Sequence, residues 1–247
     1  MFEIKNLSLS YGNTLIFNQV SMSLSKEEIG VLIGPSGCGK SSFLNIIAGN
    51  ISPVHYTGQV NLNGQTIHHR QHNMSLVSQS YGLLPWKTVY HNIILPLKIK
   101  KLPIDKAKIH AIMARLNIES LVDRYTTHLS GGQKQRVALA RAFVLDPLDM
   151  MLMDEPFSAL DSITREESQV LFMDVWQEKR PTTLFVTHSI DEAVILGKKI
   201  VIMAHAPAGI IEILDNPLFG QTNIREKSQF LDISNHIRTI IKKAWVT

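Results

Sequence analysis

The chain has 247 residues, of which 45% are hydrophobic, and a formal net charge of +4. This length is enough to bury a full core, and so small a charge, spread over short lysine runs, argues against a nucleic-acid partner. The single cysteine, Cys38, excludes an internal disulfide and favours a reducing compartment. No stretch has the length of a membrane helix, and the first residues lack the apolar run of a signal peptide, so we expect a cytoplasmic protein.

Two kinds of strand pattern occur along the chain. Alternating apolar residues within 2–24 and 59–67 predict half-buried antiparallel strands. Nearly continuous apolar runs, separated by helical stretches, predict the strands of a parallel sheet that is covered on both faces. These runs are IGVLI (29–33), MMLM (150–153), TLFVT (183–187) and KIVIM (199–203). The pattern therefore predicts an α/β protein.

The segment from about 85 to 128 is more polar, has a helical pattern and is punctuated by prolines, which predicts an inserted helical sub-domain. We expect one domain over residues 1–247 with three parts. These are a core with an antiparallel β sub-domain at 1–84 and 146–220, a helical sub-domain at 85–145 and a closing helix at 221–247.

The stretch HHRQH at 68–72 holds three histidines. No cysteine or carboxylate lies close in sequence to complete a metal site, so a surface turn is the favoured interpretation. A zinc site stays as the alternative.

The apolar run 29–33 is followed at once by GPSGCGKSS, which matches the pattern G-x-x-x-x-G-K-[ST]. Glycines let backbone N–H groups wrap a phosphate chain, and the next helix aims its N-terminus at the same anion. We therefore predict that ATP binds here, with Lys40 on the β and γ phosphates and Ser41 on Mg²⁺. The predicted nucleotide contacts in this loop are Gly34, Pro35, Ser36, Gly37, Cys38, Gly39, Lys40, Ser41 and Ser42.

The run MMLMDE ends in two carboxylates, Asp154 and Glu155. In P-loop proteins that hydrolyse nucleotides, an acidic residue at such a strand end helps to hold Mg²⁺, and this role suits Asp154. A second carboxylate beside the γ-phosphate is placed to orient or deprotonate water. We therefore predict hydrolysis, with Glu155 as the base, rather than phosphoryl transfer to another substrate.

The stretch HLSGGQKQR, residues 128–136, begins a predicted helix with a serine and two glycines. A serine cap needs no glycine pair, so the pair indicates that something comes close to the backbone. The glycine-rich loop at 34–42, the P-loop of this chain, already accounts for one triphosphate. We therefore expect the helix start at 130–133 to face the ATP of a second, identical chain. The residues predicted to make that contact are Ser130, Gly131, Gly132 and Gln133.

Together, GPSGCGKS, Gln79, LSGGQ, MMLMDE, SALD and His188 resemble, in order and rough spacing, the ATP-binding subunit of an ABC transporter. The resemblance extends over nearly the whole chain and implies a P-loop NTPase (RecA-like) parallel-sheet core with the two sub-domains described above. It also implies a homodimer that forms on ATP binding, with Asp161 at the dimer seam.

The same resemblance implies roles for single residues. Tyr11 would stack on adenine, Gln79 would reach Mg²⁺ while sensing a membrane partner, and His188 would contact the γ-phosphate. The expected catalytic residues are then Lys40, Glu155 and His188, and the expected metal ligands are Ser41, Gln79 and Asp154.

Within that family, LLPWKTVYHNIILPLKI (83–99) is similar to the ATPases of the nitrate, sulfonate and taurine importer group. This implies a protein at the cytoplasmic face of the membrane that works with an integral-membrane permease and, indirectly, a solute-binding protein. Sulfonates, taurine, nitrate and a thiamine-precursor pyrimidine all stay open as the solute. Trp86 is predicted to be an exposed anchor for the permease.

Two other functions compete with transport. Soluble ABC-type ATPases of DNA repair or translation resemble chains with a long coiled-coil insertion or tandem cassettes, neither of which occurs here. A small-molecule P-loop kinase would leave LSGGQ unexplained. One further expectation concerns Cys38, whose place near a helix N-terminus and Lys40 predicts a lowered thiol pKa and alkylation that Mg-ATP prevents.

Overall fold

A computed structural model describes residues 1–67 and 72–245. The strands, in chain order, are β1 (Phe2–Tyr11), β2 (Thr14–Leu24), β3 (Ile29–Ile33), β4 (Tyr56–Leu62), β5 (Gln65–Thr66), β6 (Met74–Val77), β7 (Met150–Asp154), β8 (Thr182–Thr187), β9 (Lys199–Met203) and β10 (Ile210–Asp215). The α-helices are α1 (Lys40–Ile47), α2 (Val89–Ile93), α3 (Leu95–Ile99), α4 (Lys106–Arg115), α5 (Gly131–Phe143), α6 (Ser162–Lys179), α7 (Ile190–Leu196) and α8 (Ser228–Trp245).

The chain divides into two compact units. The first comprises the described residues of 1–72 and 182–247, and the second comprises 73–181. Of the histidine cluster at 68–72, residues 68–71 lie outside the described ranges. His72 is buried, so the prediction of a surface turn is wrong at that residue.

The first unit contains an antiparallel sheet with the strand order β2-β1-β4-β5. Along β1, buried side chains such as Phe2 and Ile4 alternate with more exposed ones, because neighbouring residues of a strand point to opposite faces. The register pairs Phe2 with Leu24 of β2 and with Leu62 of β4. The predicted antiparallel strands within 2–24 and 59–67 are therefore confirmed.

The same unit contains the strands β10-β9-β3-β8 of a second sheet. β3 lies parallel to both β8 and β9, and its five residues are all buried, as a strand covered on two faces requires. β10 runs antiparallel to β9 at the edge, where its side chains alternate between half-buried and exposed. The parallel core is confirmed.

In the second unit, β6 lies parallel to β7, with Met74 opposite Met150 and Val77 opposite Met153. The methionines of β7 are fully buried, so they pack in the core as their apolar run predicts. Phe172 of α6 packs against Phe143 and Phe157, with ring centroids 6.0 and 6.4 Å apart. Within the described ranges, no helix combines the length and hydropathy that a membrane span needs.

Candidate functional site

The loop after β3 has a backbone that depends on its glycines. Gly37 and Gly39 have φ angles of +80° and +93°, a region that side chains disfavour. At Gly39 an added Cβ would also lie 2.5 Å from Ile16 Cγ2, and at Gly34 it would lie 2.7 Å from Cys38 Sγ. The loop can therefore take this shape only with glycine at 39, and a side chain at 34 would displace the cysteine.

Lys40 is the first residue of α1, and its ammonium group turns back into the loop. Lys40 Nζ donates hydrogen bonds to the carbonyl oxygens of Gly34 and Pro35, both at 2.9 Å, and the side chain is buried. Among the described residues no side chain caps α1, and its first turn holds no acidic residue. Because a helix N-terminus carries partial positive charge, a loop that adds a lysine to the start of α1 suits a phosphate chain.

Tyr11 ends β1 beside the same loop. Its hydroxyl donates a hydrogen bond to Ser42 Oγ at 3.4 Å, and the side chain is half-exposed. An exposed ring next to the phosphate-binding helix is a suitable surface for a planar base.

Cys38 differs from its prediction. The side chain is only 1% exposed. Burial raises the pKa of the Cys38 thiol above its ordinary value and outweighs the opposing effect of the Lys40 ammonium. The expected low pKa is therefore wrong, because the side chain points into the protein while its backbone belongs to the loop. From this burial we expect the folded chain to resist alkylation.

His188 leaves the sheet beside this loop. In the parallel pair of β3 and β8, Ile33 lies opposite Thr187, so the next residues, Gly34 and His188, emerge at the same edge. The imidazole is exposed. The first unit thus brings together the loop, Tyr11 and His188.

The second unit brings Gln79 to the same strand edge as the two carboxylates. Val77 lies opposite Met153 at the carboxyl end of the parallel pair β6 and β7. Gln79, Asp154 and Glu155 come directly after or at these strand ends, so they lie at the same edge of the pair. Gln79 is exposed and both carboxylates are partly exposed.

Glu155 has a φ angle of +46°, an uncommon conformation for a residue with a side chain. Its carbonyl oxygen accepts hydrogen bonds from Ser158 N at 3.2 Å and Ser158 Oγ at 2.9 Å. Such backbone strain persists where surrounding contacts hold it and is frequent at functional sites. Asp161, six residues after Glu155, caps α6 by accepting a hydrogen bond from Thr164 N at 3.0 Å.

The start of α5 forms a capping box. Ser130 Oγ accepts from Gln133 N, and Gln133 Oε1 accepts from Ser130 N. The N–H groups of Gly131 and Gly132 begin the helix, where no intrahelical acceptor is available to them. Packing within the chain explains the glycine at 132, because a Cβ on Gly132 would lie 2.7 Å from Thr164 Cγ2. Gly131 has no such neighbour, because a Cβ there would be 3.7 Å from Leu160 Cδ2.

The far end of α5 contacts the segment that follows Gln79. Arg141 donates hydrogen bonds to the carbonyl oxygens of Tyr81 at 2.5 Å and Gly82 at 2.6 Å. Ten residues separate Gly131 from Arg141, which corresponds to about 15 Å of helix rise. The capping box therefore lies well away from the Gln79 segment of its own chain.

Sequence reasoning missed three residues that organise these segments. Arg141 is one, and Asn92 is another: its amide accepts from Leu84 N and donates towards the carbonyls of Leu84, Lys87 and Thr88. The signal for Asn92 was a polar residue between Val89 and Ile93 on an apolar helix face.

Glu192 is the third missed residue. The pattern Ser-x-x-Glu in SIDE (189–192) is typical of a capping box and could have predicted a structural role for it at a helix start. Its carboxylate is buried and accepts a hydrogen bond from Thr187, next to His188.

The predicted metal ligands carry hydroxyl, amide and carboxylate oxygens, the donors that Mg²⁺ prefers. Among the described residues, no group of three or more His, Cys, Asp or Glu side chains is arranged to hold a metal by itself. This donor set fits a Mg²⁺ ion that takes one carboxylate from the protein and keeps water and phosphate oxygens as its other ligands.

The comparisons with known proteins agree with this geometry. Residues 17–158 match the family described as ABC transporter. The taurine import ATP-binding protein TauB of Escherichia coli is 36% identical over 216 residues, covering 87% of this chain and 84% of that protein. The aliphatic sulfonates import ATP-binding protein SsuB of Bacillus cereus is 38% identical over 215 residues, with the same coverages. Among solved structures, the dimeric ATP-binding cassette MJ0796 with bound ADP and phosphate is similar, with a TM-score of 0.75 and 28% identity over 87% of this chain and 98% of that chain.

Proposed function

The chain belongs to the ABC transporter family as an ATP-hydrolysing subunit, and from this membership we propose that it powers the import of a small solute through a separate membrane permease. The proposal rests on the lysine-bearing loop after β3, which suits a triphosphate, in a chain whose relatives include two import ATP-binding proteins. The names of those relatives make taurine and aliphatic sulfonates the first solutes to test.

We assign the nucleotide to the loop of residues 34–42, with Lys40 on the β and γ phosphates and Tyr11 against the adenine. Mg²⁺, when bound, neutralises phosphate charge, and its proposed ligands are Ser41, Gln79 and Asp154. His188 is proposed to donate to a γ-phosphate oxygen.

Glu155 is proposed to accept, at a carboxylate oxygen, a proton from the water that attacks the γ-phosphate. The hydrogen bonds from Ser158 hold its strained backbone in place and so restrict the directions that the carboxylate can take. This restriction supports a role in which orientation matters more than basicity alone.

The start of α5 is proposed to bind the nucleotide of a second copy of the chain. In support, the capping box satisfies the N–H groups of Ser130 and Gln133 and leaves those of Gly131 and Gly132 directed out of the helix. Two solved structures of the cassette MJ0796 that are similar to the chain, at TM-scores of 0.75 and 0.74, are described as dimeric. A homodimer related by a two-fold axis would then contain two such contacts.

Trp86 is proposed as an anchor for the permease. The side chain is 69% exposed, so its predicted exposure is confirmed, while docking stays a proposal. Asn92 and Thr126 hold the neighbouring carbonyl of Leu84, and this clamp presents the indole on an ordered segment. The helical sub-domain proposed for 85–145, which would include this surface, lies within the unit of 73–181.

The test of the ATPase assignment is Glu155→Gln, which keeps the shape of the side chain and removes the base. We expect ATP binding to persist, turnover to fall by roughly 10²- to 10⁴-fold, and an ATP-dependent dimer to accumulate in size-exclusion chromatography. Glu119→Gln, at an exposed glutamate, is the matched control and should behave like the wild type. Near-normal turnover of Glu155→Gln would place the base elsewhere.

The test of transport is uptake of labelled taurine and of an aliphatic sulfonate by cells that carry the chain with its permease. Loss of uptake on replacing the wild type by Glu155→Gln supports import. Stimulation of the ATPase by DNA or ribosomes, without co-purification of a membrane protein, supports instead a soluble ATPase of repair or translation.

A further inference from the structure

A closed set of hydrogen bonds surrounds His188 at the end of β8. Thr187 Oγ1 donates to Glu192 Oε2 at 2.5 Å and accepts from Ser189 N at 3.0 Å. Ser189 Oγ in turn accepts from Glu192 N at 3.3 Å. His188 is thus flanked by two residues that are tied to each other and to the first turn of α7.

The burial of this set contrasts with the exposure of the histidine. Thr187 and Glu192 are 2% and 5% exposed, whereas His188 is exposed. A buried carboxylate needs hydrogen-bond donors to compensate for the lost water, and a donor to a carboxylate makes a stronger bond than one to a neutral acceptor. The Thr187 hydroxyl is such a donor, so the chain direction at His188 is held more firmly than in an ordinary surface turn.

Glu192 also differs from the other acidic residue at this helix start. Asp191 lies in the same first turn and is exposed, so it adds negative charge there without belonging to the buried pair. A purely structural role, favouring α7 through charge at its N-terminus, would apply to both residues. A role in aiming His188 would apply to Glu192 alone.

We propose that Thr187 and Glu192 are positioning residues which hold the turn after β8 so that His188 points at the γ-phosphate. The inference rests on the proposed function, because aiming the imidazole affects turnover only if His188 contacts the phosphate. In this proposal Thr187 acts through its hydroxyl hydrogen and Glu192 through its acceptor oxygen, both by way of His188.

The experiment measures steady-state ATP hydrolysis by the full chain carrying Thr187→Val, which keeps the shape of the side chain and removes the donor. We expect kcat to fall about tenfold or more with little change in KM, since misplacing a group that acts in the transition state lowers kcat. Thr187→Ser restores a hydroxyl and should restore most of the activity. Asp191→Asn is the matched charge control and should leave kcat within about twofold of the wild type.

A double-mutant cycle separates positioning from stability. His188→Ala alone should lower kcat on the order of 10²-fold, the size expected for loss of one transition-state donor. Thr187→Val added to His188→Ala should then cause no further loss, because there is no imidazole left to aim. A structural defect would lower kcat again in that background and overturn the inference.

The remaining outcomes are distinguishable. If His188→Ala keeps normal turnover, the role of His188 in the proposed function is wrong and the inference fails with it. If His188→Ala is impaired while Thr187→Val is normal, only the inference fails. Should Thr187→Val not fold, Glu192→Gln replaces it in the cycle. It keeps an acceptor oxygen and should fold, but an uncharged amide accepts a weaker hydrogen bond than a carboxylate. Its kcat should therefore fall less than that expected for Thr187→Val, and only while His188 is present; equal loss without His188 contradicts positioning.

Discussion

The two glycines at the start of α5 predict different outcomes when each is replaced by alanine. Within the chain itself there is no room for a Cβ on Gly132, which would lie 2.7 Å from Thr164 Cγ2. At Gly131 the nearest atom would be Leu160 Cδ2 at 3.7 Å, an ordinary contact. Neither glycine is among those with positive φ, so the backbone at both positions accepts alanine.

The expected stabilities follow from two opposing terms. Overpacking a methyl group typically costs about 1–3 kcal/mol, and alanine regains up to about 1 kcal/mol as a better helix former than glycine. Gly132→Ala should therefore lower the free energy of unfolding by roughly 0–3 kcal/mol. Gly131→Ala meets no clash and should raise it by up to about 1 kcal/mol.

The assay is urea unfolding of both variants, followed by size-exclusion chromatography with ATP in the Glu155→Gln background. Gly131→Ala should fold at least as well as the wild type and yet form less dimer, because its methyl group occupies space that the second chain's nucleotide needs. If Gly131→Ala dimerises normally, the close approach of a second chain's nucleotide is not the reason that position 131 is a glycine. If it unfolds as readily as Gly132→Ala, the contact geometry at α5 is wrong.

Three further predictions test separate parts of the molecule. Trp86→Ala should leave the melting temperature and ATP affinity unchanged but weaken co-purification with the permease about tenfold or more, the size expected for one aromatic anchor; a sharp fall in melting temperature would instead make Trp86 a core residue. Cys38 should resist iodoacetamide at neutral pH in the folded protein and react after unfolding, with or without Mg-ATP, because burial raises its pKa; rapid labelling of the native chain contradicts this. The Thr164 N–H lowers the pKa of Asp161, so its ionised cap contributes above the ordinary aspartate pKa and is lost as pH falls through the lowered value. Helix ellipticity should fall with acid less steeply in Asp161→Asn than in the wild type, and equal slopes would show that the cap is not the titrating group.

The parts of the fold that the sequence predicted are those whose signal is local. β3 is predicted at its observed bounds because a strand buried on both faces must be a continuous apolar run. β6 and β10 were missed for the opposite reason. MSLV is four residues long, and IIEILD alternates on an exposed sheet edge, so each has too short or too mixed a pattern to stand out.

In the candidate site, too, features with a local sequence signal could be predicted from the sequence, whereas a feature that depends on distant segments could not. The glycine spacing of the P-loop is readable because each glycine answers a local backbone requirement, as the φ of +93° at Gly39 shows. The environment of Cys38 was predicted wrongly because burial depends on distant segments. An added Cβ on Gly34 would touch both the Cys38 sulfur and Met203, which lies far along the chain. No sequence window around Cys38 contains that information.

α5 joins features that sequence reasoning treated separately. Its first turn carries the glycines proposed to bind a second copy's nucleotide, and Arg141 near its end holds the carbonyls of Tyr81 and Gly82. Trp86 follows four residues later on a segment clamped by Asn92. A helix resists bending over this length, so we infer that a displacement at Gly131 reaches residues 81–88, where Trp86 is proposed to bind the permease, through Arg141. Amide hydrogen exchange over residues 81–88 should therefore slow when Glu155→Gln dimerises on ATP, and Arg141→Ala should abolish that response. Unchanged exchange in the dimer would refute this coupling.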